Sequence, residues 1–119
     1  MTEIRSFWKE GILCGIEIEG HTGYAESGSD IVCAALSTLA QTLETGLVKV
    51  LQMERVSSKV DKERGSMSLF WQNHDDPRIG VLADAVVEIL RSVEKNYPSY
   101  VKYMEVEVDE DFGSSTVRS

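Results

Sequence analysis

The sequence predicts a single two-layer α/β domain of element order ββαββαβ, with two amphipathic helices on a mixed sheet. Short runs of period-two alternation recur, clearest at 2–9, 12–19 and 100–108. Two longer segments, 30–53 and 77–97, carry apolar residues at helical spacing on one stripe each, and such a stripe needs a sheet face to cover it. At 119 residues the chain is long enough for one core. Folding should bury roughly 65% of its unfolded surface.

Residues 2–9 place Ile4, Ser6 and Trp8 on one side and Arg5, Phe7 and Lys9 on the other. Glu10-Gly11 makes a hairpin turn, and residues 12–19 return. There Ile12, Cys14, Ile16 and Ile18 share a face, opposed by Leu13, Gly15, Glu17 and Glu19. Cys14 reads as a core residue, because a buried cysteine behaves as a small hydrophobe. After a glycine-punctuated loop over 20–29, Asp30 is suited to cap a helix, which the stripe Val32, Leu36, Leu39, Leu43, Leu47 and Val50 carries to about Met53. Gly46 lowers helix stability by about 1 kcal/mol relative to alanine, which leaves room for a break there.

Residues 54–61 form a polar strand near an edge, 62–65 a turn, and 67–72 a second strand with Met67, Leu69 and Trp71 on one face. Asp76 caps the second helix and Pro77 takes its first position. Its stripe is Ile79, Leu82, Val86, Ile89, Val93 and Tyr97, and Asn96 to Pro98 stops it. In the last strand, over 100–108, Met104, Val106 and Val108 oppose Glu105 and Glu107. The domain is expected to span residues 1–108, with 109–119 an acidic, then small and polar, frayed tail.

The formal net charge of −8 and the absence of a basic cluster argue against nucleic acid as a direct partner, since phosphate binding needs a positive footprint. They suit a basic partner, which an acidic surface steers inward. No apolar run approaches the ~20 residues of a membrane helix. The N-terminal residues lack an apolar signal core, so a cytoplasmic location and free thiols are expected. No C-x-x-C or paired ligand spacing supports zinc, Cys14, His21, Cys33 and His74 being merely the available donors. No cofactor is expected.

The chemistry concentrates in His21 and Cys33. His21 follows the last alternating residue of the second strand, and Cys33 falls in the first turn of a helix capped at Asp30. Unpaired amides and the macrodipole there favour the thiolate, the form of cysteine that attacks. Cys33 flanks the buried stripe, and Ala34 and Ala35 leave little bulk beside the sulfur. His21 can take the thiol proton and return it to a leaving amine. Backbone amides at the helix start can serve as an oxyanion hole, and the glycines of the loop let it close over a peptide. Asp30 acts as a cap, Ser37 as a helix back-bonding residue, and His74 as a surface or turn residue. Glu19, Glu26 and Asp30 are placed by position alone to orient His21, and a Cys–His dyad suffices without them.

Gly20-His21, the glycine-containing loop, and Asp30-Ile31-Val32-Cys33-Ala34-Ala35 with Ser37 resemble the signature of the bacterial ribosomal-processing cysteine protease Prp family. The likeness extends through the opening hairpin, the second helix and its Asn96-Tyr97-Pro98 exit. Thr22 and Leu36 depart from the family pattern at positions that shape the pocket rather than carry chemistry. The resemblance implies a small α/β domain, commonly a homodimer, in which Cys33 is the nucleophile and His21 the general base and acid. It implies removal of the N-terminal extension of large-subunit ribosomal protein twenty-seven during ribosome assembly. A non-catalytic ribosome-assembly factor binding the same ribosomal protein is the alternative, and an oxidisable redox thiol a third reading.

Overall fold

The computed structural model of the chain describes residues 1–20, 27–61, 63, 65–72 and 76–109, with the backbone alone for 27–30. The order is β1 (Thr2–Lys9), β2 (Ile12–Glu19), α1 (Ser27–Thr45) with a π-helical turn at Gly46–Val50, β3 (Val56–Asp61), β4 (Ser66–Trp71), α2 (Pro77–Asn96) and β5 (Val101–Glu107). The five strands form one mixed sheet in the order β3-β4-β2-β1-β5. β1 and β5 are parallel and every other pair is antiparallel. The predicted ββαββαβ order and two-layer class hold.

Glu10 and Gly11 turn the hairpin with φ of 53° and 82°, the twist of a type I′ turn, which glycine accommodates freely. Beyond the turn, β2 departs from simple alternation. Phe7 pairs with Gly15 but Trp8 pairs with Leu13, so Cys14 is the extra residue of a bulge. The bulge reverses parity: Leu13 enters the core and Ile12 is 43% exposed, the opposite of the faces that alternation predicts. Cys14 is buried, as expected, and its thiol donates to the Phe7 carbonyl at 3.3 Å.

Ile4, Ile16, Ile18, Leu69, Trp71 and Val101 give the sheet's core face, covered by Val32, Leu36, Leu43 and Leu47 and by Ile79, Ala83, Val86 and Leu90. Ser6 is buried in that face and is satisfied by the Tyr103 hydroxyl at 2.7 Å and the Trp8 indole N–H at 2.8 Å. In β5 the face-to-helix side is Val101 and Tyr103, with Met104 and Val106 on the other face, so the expected face is inverted there too.

The helix does not run on to Met53: it widens into a π turn at Gly46 and ends at Val50. Leu51 N–H donates to the Gly46 carbonyl five residues back, at 2.8 Å. The wider turn delays the stripe by one residue, so Leu51 packs on the core while Val50 is 71% exposed. By length and mean hydropathy of 1.4 alone, Ile31–Val50 is apolar enough to cross a bilayer. Its stripe, however, lies in the core. A Cβ built at Gly46 would overlap Leu82, so glycine lets the two helices approach there.

Asp76 caps α2 as expected, accepting from Arg78 N at 3.0 Å, with Pro77 in the first turn. The Arg78 guanidinium, then its backbone N–H, holds the Asp76 carboxyl below its usual value. The buried stripe is rotated from the predicted one: Ala83, Val87 and Leu90 are buried, whereas Ile89 is 49% exposed and Tyr97 40%. Both stripes exist in the sequence. Docking on β5, where Glu94 accepts from Tyr103 N at 2.9 Å and Arg91 pairs with Glu105, selects this one.

The sheet's second face is left uncovered by the helices. There Arg5 bonds Glu3, Glu17 and Glu19 at 2.9–3.0 Å, which raises its pKa, chiefly through Glu17. Lower on that face the Phe70 ring lies over Gly15, 5.2 Å from the Phe7 ring, and occupies the space of a Gly15 side chain. Gly15→Ala should therefore destabilise the fold by about 1–3 kcal/mol in urea unfolding. The loss should shrink in a Phe70→Leu background; equal losses in both backgrounds would refute the clash.

Candidate active site

Cys33 and Cys14 form no disulfide, and they divide by environment: Cys14 is buried and Cys33 is exposed. The helical period explains the second. Val32 and Leu36 on either side of Cys33 point into the core, and the thiol falls just beyond the edge of their stripe. Ala34, Ala35 and Ser37 around it are also exposed, so small side chains surround the sulfur as the sequence suggests.

Its place along the helix differs from expectation. α1 begins at Ser27, so Asp30 is the helix's fourth residue and not its cap, and Cys33 is the seventh. Helix propagation adds one hydrogen bond per residue, which carries the ladder through a serine and glycine stretch of poor intrinsic propensity. At 1.5 Å per residue the Cys33 backbone lies about 9 Å from the helix start, in the second turn. The macrodipole acts within the first turn, so it contributes little at this sulfur.

His21, the base of the predicted pair, lies outside the described residues, as do Glu26 and His74. The side chain of Asp30 is not described either. Glu19 sits on the uncovered sheet face, where its carboxylate accepts from Arg5. The described end of β2 is tied down: Gly20 N–H donates to the Gly65 carbonyl at 2.9 Å, joining it to the turn between β3 and β4. The Arg5 cluster escaped the sequence reading because the register set by the Glu10-Gly11 turn opposes Arg5 to Ile16, and only the bulge at Cys14 moves its partner to Glu17.

Residues 1–102 match the family model described as cysteine protease Prp, which places the chain among the cysteine proteases. The chain belongs to the Prp family. Among solved structures, SMU.848 from Streptococcus mutans is 30% identical, with a TM-score of 0.80, 91% of this chain and 96% of that chain being covered. The essential ribosomal processing protease Prp from S. aureus, in complex with a substrate peptide, has a TM-score of 0.79 at 18% identity, over 88% of this chain and 99% of that one. Its complex with a covalently linked product peptide has a TM-score of 0.75 at 19% identity, with the same coverage. No curated protein matches the chain.

Proposed function

We propose that the protein is a cysteine endopeptidase that removes the N-terminal extension of large-subunit ribosomal protein twenty-seven in the cytoplasm, acting as a homodimer without a cofactor. The observation that carries this is the exposed thiol of Cys33 on a buried-stripe helix, in a chain of the Prp family. The S. aureus relative binds a substrate peptide, which supports a peptide substrate here. The net charge of −8 suits a basic ribosomal protein.

In this reading His21 takes the proton from Cys33, and the sulfur attacks the scissile carbonyl carbon. A C–S bond forms, the carbonyl electrons move to oxygen, and on collapse the C–N bond breaks. The imidazolium gives its proton to the departing amine. Water, deprotonated by His21, then hydrolyses the thioester, releasing the carboxylate of the extension and restoring the thiol.

Incubating the protein with a peptide spanning the extension, followed by mass spectrometry, is expected to show two fragments from a single cut. An intact peptide that stays bound would support the assembly-factor reading instead.

A further inference from the structure

We propose that the substrate chain lies extended between the Cys33 flank of α1 and the free edge of β3, with Val60 as the floor of a subsite for an apolar side chain. This rests on the endopeptidase reading and assigns its specificity.

The topology fixes where the flank of Cys33 looks. The connection from β2 through α1 to β3 passes over β4, and the connection from β4 through α2 to β5 passes over β2 and β1. α2 accordingly contacts β5 and β2, which leaves the β4–β3 half of the sheet to the α1 crossover. The α2-facing side of α1 is marked by Gly46 against Leu82 and by Thr38, Thr42 and Thr45, which line an interhelical groove of about 570 Å³ with Arg78. Thr42 is nine residues beyond Cys33, about two and a half turns, so the sulfur occupies the opposite flank. That flank faces the β3 edge.

The height matches as well. β2 and β3 are both antiparallel to β4, so they run in the same direction and end at the same edge of the fold. α1 starts from that end, and the Gly20–Gly65 hydrogen bond ties the end of β2 to the turn after β3. Cys33 in the second helical turn and Val60 at the end of β3 therefore share one end of the domain.

Val60 is paired with Met67, Ser58 with Leu69 and Val56 with Trp71, and all three partners pack on the helix side. The β3 residues thus face the helix layer. Val56 packs on the core, but Ser58 is exposed and Val60 is 65% exposed, so the helices leave the upper part of this face open. Among the described residues β4 is the one neighbour of β3, which leaves half of its main-chain groups for another strand. Extended peptides bind such edges through their backbone, with side-chain pockets adding selectivity. An exposed valine on an edge strand is a liability that proteins ordinarily replace. Here it lies beside the nucleophile's flank, where an apolar substrate side chain would cover it.

The test compares Val60→Thr, which keeps the side chain's shape, and Val60→Glu in the full chain. Each is assayed for kcat and KM on the extension peptide, for alkylation of Cys33 by iodoacetamide, and for thermal unfolding. An altered apolar contact changes kcat/KM by about 10–200-fold, and Val60→Glu should fall in that range with the smaller loss for Val60→Thr, chiefly in KM. Alkylation rate and Tm should match the unsubstituted protein. Unchanged kcat/KM in both variants, with the unsubstituted protein active, would overturn the subsite and leave the endopeptidase standing. An inactive unsubstituted protein would overturn both.

Discussion

Cys33→Ala is expected to abolish cleavage of the extension peptide while leaving the fold unchanged. Removing a covalent nucleophile costs on the order of 10⁴–10⁶ in kcat, because the remaining groups supply binding and transition-state stabilisation but no bond to the carbonyl. The structural cost is small because the side chain is exposed and alanines already flank it on the helix. Alanine also has the higher helix propensity, so the melting temperature should hold or rise slightly. Substrate should still bind, and the inactive variant should trap the intact peptide. Cys14→Ala is the matched control: it removes a buried thiol from a strand bulge, so it should lower stability and spare turnover. A Cys33→Ala protein that still cuts the peptide would remove the thiol from the mechanism.

Much of this arrangement was legible in the sequence, and the departures have physical causes. Element type and order followed from periodicity, and the exposure of Cys33 followed from its place just off the Val32–Leu36 stripe. Two of the departures occur where the backbone gains a residue or widens a turn. At Cys14 an extra strand residue exchanges the faces of Ile12 and Leu13, and at Gly46 a wider turn replaces Val50 by Leu51. In α2 two stripes overlap, and contacts with β5 from distant residues choose between them. Periodicity counts residues, so it cannot register an insertion whose cause lies in tertiary packing. The start of α1 has a different cause, propagation of the helical ladder, and it bears on chemistry: moving the helix start from Asp30 to Ser27 takes Cys33 out of the first turn.

In the proposed dyad that shift leaves activation to the imidazole, so His21→Ala should be almost as damaging as loss of the thiol. General base catalysis contributes about 10²–10⁴-fold, and here no first-turn field substitutes for it. The discriminating measurement is the rate of Cys33 alkylation by iodoacetamide at neutral pH, with Cys14 shielded in the core. Without an imidazole to take the thiol proton, His21→Ala should be alkylated more slowly than the unsubstituted protein, since the thiolate is the form that attacks. Turnover by His21→Ala should recover in part with added imidazole. Equal alkylation rates for the two proteins would mean that His21 does not activate the sulfur. Thiolate formation would then have to come from the helix after all, or from another base.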